Sequence, residues 1–420
     1  MQWIDATGSK FTGAVGRPIY VIYKTALVAT LAFALVPAEV LRASEKNVTI
    51  DAPPYSSELV PGPSIPNVRY QCKGPASGKC RLSEFMEYAR VCALLVIQNG
   101  RKRLERYSGD PDLCRDPDKY PNGPRRLYGV ASVAKSITST LVGQAIATRY
   151  GARTRAEFDA VLNRPLKEYV SGLGNAYSSV TLDHVLRMRS GVRWSEYGWY
   201  GLFADANRFG MDVRDNRSLS IPEFARRYRT RSDEQHPFNY SALDAAVAGY
   251  VAESMLGGEY LVNFMERGLW DQIGAKGKAK VGVDKNGTLI GPCCLKATVG
   301  DLARFGNFVL QNGRDPEGRQ AIPKAWFGLA TQASNAGDTI PRSSVSQNLN
   351  CPVRYRYFWW LREGKADFTA IGRDGQFLHI YPRENLVIVQ ISDWKAWTNG
   401  DFLECETFSA HDAIAAASRQ

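Results

Sequence analysis

Strand-like segments stand at both ends of this chain and a helical stretch lies between them. That order restricts the fold more than any other feature. Residues 93–98 form a β-prone run, and residues 101–107 alternate on the way back. Between them, Asn99-Gly100 is the dipeptide favoured in a two-residue hairpin turn, where both positions take positive φ. A polar, proline-bearing loop over 109–127 follows, and then a helix is predicted over 132–150. Its Val133, Ile137, Leu141 and Ala145 recur on one face, and Gly151 stops it. Residues 155–275 read as mostly helical, with the clearest helices over 243–255 and 258–273 and a long loop over 194–217. Strand character returns at 355–361, 376–381 and 386–392, and Pro382-Arg383-Glu384-Asn385 turns between the last two. Residues 410–418 read as a closing helix. The economical assembly is α/β of the α+β type, with one antiparallel sheet built from both chain ends and flanked by helices. Residues 91–150 and 285–420 would form that lobe, and 151–284 a mainly helical one. Residues 39–90 read as an irregular lead-in. A cleft between the lobes is the default place for a site.

The N-terminus carries a different signal. Residues 25–38 have no charged side chain, and Lys10, Arg17 and Lys24 precede them. A basic lead, a short apolar run and Val36-Pro37-Ala38 as a cleavage point describe a signal peptide over 1–38, or else an anchor. Either reading places the protein outside the cytoplasm, in the periplasm, touching membrane only through that segment. Eight cysteines fit an oxidising compartment. Cys72 with Cys80 is the easiest pair, and Cys351 with Cys405 a second. Cys92, inside an apolar run, reads as a buried core thiol, and vicinal Cys293-Cys294 as a loop pair without a role. No Cys-x-x-Cys spacing exists and the four histidines are far apart, so no metal is expected. The net charge of +11 is scattered over the chain. It reads as a solvated basic surface, with no nucleic-acid partner.

Chemistry concentrates at Ser132-Val133-Ala134-Lys135. A serine opening a helix lies beside free backbone N–H groups and the positive end of the dipole. The lysine three residues on shares its face and can take the serine proton if burial lowers the amine pKa. The bland alternative is a helix-capping serine with a solvated lysine. Ser392-Asp393-Trp394-Lys395 repeats the spacing but follows a strand and opens no helix.

Four further segments follow in order: 181–191 (TLDHVLRMRSG), Phe238-Asn239-Tyr240-Ser241, 301–306 (DLARFG), and Gly372-Arg373-Asp374-Gly375-Gln376 with the strands after it. With the Ser-x-x-Lys helix, they make residues 90–411 resemble the penicillin-recognising serine hydrolases. The likeness is to the class C β-lactamase-like and 6-aminohexanoate-dimer-hydrolase-like branch. That resemblance implies a β-lactamase/transpeptidase-like fold and no cofactor. It implies Ser132 as acylated nucleophile, Lys135 as its proton acceptor, and Tyr240 as the relay to the leaving group, its phenol pKa lowered by the nearby ammonium. Ser132 and Gln376 would give the oxyanion-hole N–H groups, and Gly375 would let the strand approach the substrate.

The departures from that pattern bear on the substrate. Where β-lactamases have Tyr-x-Asn, this chain has Tyr240-Ser241-Ala242, and Ala242 cannot bind a substrate amide. Their Lys-Thr-Gly strand is Arg373-Asp374-Gly375 here. Arg373 suits a carboxylate, while Asp374 repels one. Tyr197, in an aromatic loop with Trp199, Tyr200 and Phe203, either lines the cleft mouth or packs between lobes. The implied reaction is hydrolysis of a small amide or ester, with a β-lactamase or D-amino-acid peptidase as the alternative. From another class, a non-catalytic binder of cell-wall peptides stays open. No Gly-x-Ser-x-Gly elbow, phosphate loop or dinucleotide fingerprint is present.

Overall fold

The computed structural model describes residues 47–66, 68–72, 78–114, 120–196, 204–229, 236–332, 340, 351–394 and 400–420. The expected signal or anchor segment and Tyr197 lie outside these residues. Among the described residues no helix is long and apolar enough to cross a membrane. In chain order the strands are β1 (Asn47–Ile50), β2 (Arg69–Cys72), β3 (Gly78–Arg81), β4 (Val91–Gln98), β5 (Arg101–Tyr107), β6 (Tyr128–Gly129), β7 (Ala279–Gly282), β8 (Leu295–Ala297), β9 (Val353–Arg356), β10 (Trp359–Arg362), β11 (Phe368–Gly372), β12 (Gln376–Tyr381) and β13 (Leu386–Ser392). The helices used below are α1 (Leu82–Tyr88), α2 (Val133–Tyr150), α3 (Ala242–Met255), α4 (Val299–Leu310), α5 (Lys324–Thr331) and α6 (Gly400–Ala417).

β4 and β13 are apolar at nearly every position, so both faces of the sheet they form must be covered. They pair antiparallel with Val96 opposite Ile388, and this joins the two ends of the chain. The sheet runs β5-β4-β13-β12-β11-β10-β9, every neighbour antiparallel. The pleat then sorts the side chains. Leu94, Val96, Phe377 and Ile388 face Phe85 of α1 and Phe408 and Ile414 of α6. Leu95, Ile97, Leu378, Val387 and Val389 face the larger core, which holds Leu141 of α2 and Phe305 of α4. Each such fully buried Leu, Ile, Val or Phe contributes about 1.5–3 kcal/mol. Asn99 and Gly100 both take positive φ at the β4–β5 turn, as their sequence requires.

A second sheet, β1-β7-β8-β6, sits at the entry to α2. Pairing of Tyr128 with Ala297 and Gly129 with Lys296 fixes the chain just before Ser132. α2 itself is buried all round from Val133 to Ala147 and shows no single apolar stripe. Its small polar side chains serve the neighbouring backbone instead. Ser136 Oγ donates to the Phe358 carbonyl at 2.5 Å, and Thr138 Oγ1 to the Gly291 carbonyl at 2.9 Å.

Three expectations need correction. The strand expected over 355–361 is a hairpin, β9–β10, turning at Tyr357 and Phe358 with both in the left-handed region. Bulky residues are held there because they are buried, the Tyr357 hydroxyl donating to Asp183 Oδ1 at 2.6 Å. The helix expected over 258–273 begins only at Leu261 and carries a π-helical segment, Met265–Trp270, inside it. Cys92 is not a thiol but is bonded to Cys114. The hairpin register explains the pairing. It sets the Ser108 N–H 2.9 Å from the Cys92 carbonyl, so the following loop starts beside Cys92. Cys72–Cys80 and Cys351–Cys405 are paired as expected, and Cys293 is bonded to Cys294.

Candidate active site

Ser132 opens α2, yet its hydroxyl makes no cap hydrogen bond to the helix. The preceding Ala131 has φ +46°, a left-handed conformation that costs a non-glycine residue on the order of 1–2 kcal/mol. The resulting sharp turn sends the Ser132 hydroxyl toward Lys135, whose Nζ donates to Oγ at 3.0 Å. Lys135 is 2% exposed, so the solvated-lysine alternative does not describe it. Its other oxygen partner is the Pro292 carbonyl at 3.2 Å, supplied by the segment leading into β8. Burial, opposed by the charge of Glu196 and aided slightly by Arg373, brings the Lys135 pKa down to about 8.

Tyr240 stands over this pair, with its ring centroid 4.8 Å from Lys135 Nζ. The tyrosine segment is held by its neighbours. The Asn239 N–H donates to the Met188 carbonyl at 2.8 Å and Asn239 Nδ2 to the Trp194 carbonyl at 3.1 Å. Ser241 caps α3, accepting the Asp244 N–H at 3.1 Å. Trp360 stacks on the Tyr240 ring at 5.7 Å and Tyr355 meets it edge-on at 5.8 Å. The expected lowering of the phenol pKa is reversed here. Burial pushes it well above its ordinary value and Glu196 adds to the rise, while a hydrogen bond with Ser132 only partly opposes them. The direction of the shift favours the protonated phenol, which can donate a hydrogen bond.

The β11–β12 turn carries two tightly packed glycines. Gly375, at φ +85°, is needed on its other side: a Cβ there would lie 2.4 Å from the Trp394 ring. Gly372 packs against the chain just before Ser132, since its Cβ would lie 2.9 Å from the Val130 carbonyl and 3.0 Å from Ala131 Cβ. Gln376 pairs with Gly372 across the two strands, and its side-chain oxygen accepts the Asp374 N–H at 3.1 Å. Arg373 and Asp374 sit at the exposed tip, with 3.4 Å between Nε and Oδ2. Ser132, Lys135 and Tyr240 are thus brought together, while Arg373 stays at the exposed tip. Among the described residues no group of His, Cys, Asp or Glu is placed to hold a metal.

Sequence reasoning gave no signal for two groups. One is the Pro292 carbonyl, since any residue carries one. The other is Glu196, a lone acidic residue in an aperiodic loop. Its Oε2 accepts the Trp194 indole N–H at 2.6 Å and the Ala242 backbone N–H at 2.8 Å.

Comparison with known proteins identifies the family and the fold. A family match described as Beta-lactamase spans residues 81–402. The 6-aminohexanoate-dimer hydrolase of Paenarthrobacter ureafaciens is 24% identical over 277 residues, 64% of this chain and 67% of that protein. A Bacillus anthracis structure named for 6-aminohexanoate-dimer hydrolase superposes with a TM-score of 0.72 at 18% identity, covering 92% of this chain and 93% of that one. A class C beta lactamase from Rhodobacter sphaeroides gives 0.52 at 14% identity, over 79% and 97%.

Proposed function

This chain belongs to the beta-lactamase family of serine hydrolases, and on that premise we propose that it cleaves an amide or ester bond of a small substrate through an acyl-enzyme on Ser132. The observation that carries the proposal is the buried Lys135 amine 3.0 Å from the Ser132 hydroxyl. Lys135, as the neutral amine, takes the Ser132 proton while Oγ attacks the substrate carbonyl. The developing oxyanion is met by the Ser132 N–H and by the Gln376 N–H of β12, whose strand partner Gly372 packs against the chain just before Ser132. Tyr240, protonated and facing both groups, passes its proton to the leaving amine or alcohol and is reprotonated from Lys135. Water then releases the acid by the reverse path.

Ala242 favours an amide or ester other than a β-lactam. Its side chain offers no donor, and its N–H is already taken by Glu196. Incubation with a fluorophosphonate should add one probe mass, on Ser132. A well-folded, unlabelled protein would contradict the proposal. The pH dependence has a defined sign. Only the neutral amine accepts the proton, so kcat/KM should rise with pH and level off above a midpoint near the Lys135 pKa of about 8. A flat profile between pH 6 and 9 would remove Lys135 as the base.

The reading of an exported protein is supported by the cystine pairs, which persist in oxidising compartments. Protein alkylated in intact cells before lysis should show no free thiol at Cys72, Cys80, Cys92, Cys114, Cys351 or Cys405. Full alkylation of these six would place it in a reducing compartment.

A further inference from the structure

Glu196 has no part in the proton path above, yet its carboxylate lies between the elements that carry that path. One oxygen, Oε2, accepts both the Trp194 indole N–H at 2.6 Å and the N–H of Ala242, the first residue of α3, at 2.8 Å. Trp194 in turn holds Asn239 by its carbonyl, so the turn carrying Tyr240 is tied to the 194–196 segment on both sides of the tyrosine. We propose that Glu196 is a positioning residue of the site: it clamps the Tyr240 turn and supplies the negative charge that balances the buried Lys135 ammonium. This rests on the acyl-enzyme reading above and on Lys135 as its base.

The charges around the pair are few. Lys135 on α2 touches Ser132, the Pro292 carbonyl and the Tyr240 ring, and the charges of Glu196 and of Arg373 from the β11–β12 turn act on it. Tyr240 is under the influence of Glu196 and Glu404 of α6, and its ring meets Tyr355. Asp244 on α3 is raised chiefly by its own burial, and Glu196 also raises it. Of the carboxylates named, Glu196 acts on both Lys135 and Tyr240. It disfavours a phenolate at Tyr240 and favours an ammonium at Lys135. The proton taken from Ser132 therefore rests on the lysine, and the tyrosine keeps its own to donate.

Because both hydrogen bonds end on one oxygen, Glu196→Gln can keep them and remove only the charge. Glu196→Ala removes both. The Gln variant should keep its plateau kcat within about threefold, and the rising limb of kcat/KM should move about one unit to lower pH as Lys135 loses its counter-charge. The Ala variant should lose on the order of 10²-fold in kcat with KM little changed, since the Tyr240 turn is released. Thermal melts of both variants establish that they are folded. A Gln profile superimposed on the native one, or moved to higher pH, overturns the charge role. An Ala variant with native kcat overturns the clamp. Fluorophosphonate labelling of the unsubstituted enzyme is run beside them: a probe that fails to label Ser132 removes the acyl-enzyme reading and this proposal with it, whereas labelling with an unmoved limb removes this proposal alone.

Discussion

Ser132→Ala should lower turnover by about 10³-fold or more while the melting temperature stays within a few degrees. The size follows from the absence of another nucleophile in the trio: without Oγ there is no acyl-enzyme, and only oxyanion donors and binding remain. The small stability effect follows from geometry. Ser132 does not cap α2, so losing the hydroxyl leaves no helix N–H unsatisfied. It costs Lys135 and Tyr240 one hydrogen bond each, and the Pro292 carbonyl still accepts from Lys135. A capping serine would show the opposite pattern, about 1 kcal/mol of lost stability and unchanged activity. Turnover on ester and amide substrates, measured beside a thermal melt, separates the two. Native turnover in the Ala variant would refute the nucleophile assignment.

Gly143→Ala should be destabilising although it adds only one methyl group inside a helix. Gly143 lies inside α2, where Ala is ordinarily preferred by about 1 kcal/mol. Here an added Cβ would meet the Trp326 ring at 2.3–2.5 Å. Trp326 on α5 is 0% exposed and packed between Phe158 and Tyr357, so it cannot retreat. Overpacking of this kind costs about 1–3 kcal/mol, and a rigid ring belongs at the upper end. The helix gain offsets part of that, so a net loss of about 1–2 kcal/mol is expected for Ala. Gly143→Val should lose more, since it adds bulk and a stiff β-branch. Chemical denaturation at constant m-value measures it, and an Ala variant at least as stable as native would contradict the close approach.

How much could be read from the sequence divides along local and non-local lines. The β4–β5 hairpin was legible because Asn99-Gly100 determines its own turn. α2 and α3 were legible from composition and stop signals, and Ser132 with Lys135 from a three-residue spacing on one helical face. The β9–β10 turn was not, because Tyr357 and Phe358 carry no turn chemistry. They adopt left-handed backbone because the surrounding core holds them. Cys92 read as a thiol because its partner becomes a neighbour only once β5 has run back along β4. Glu196 carried no pattern at all. Its importance arises where a loop residue meets the start of a helix dozens of residues later.

The amino-acid order by itself determined that strands from both ends must share a sheet. Two doubly apolar strands have to bury both faces, and only each other and the flanking helices can cover them. It also determined that a serine and a lysine stand one turn apart. The tertiary structure alone decided what they can do. It excluded water from Lys135, so that the amine falls toward a useful pKa. It kept Tyr240 protonated by burial beside a carboxylate. It also packed Gly372 against Val130 and Ala131, the residues that lead into Ser132. Spacing along a chain sets which groups can meet, but the energy of a charge depends on everything packed around it, and that exists only in the folded protein.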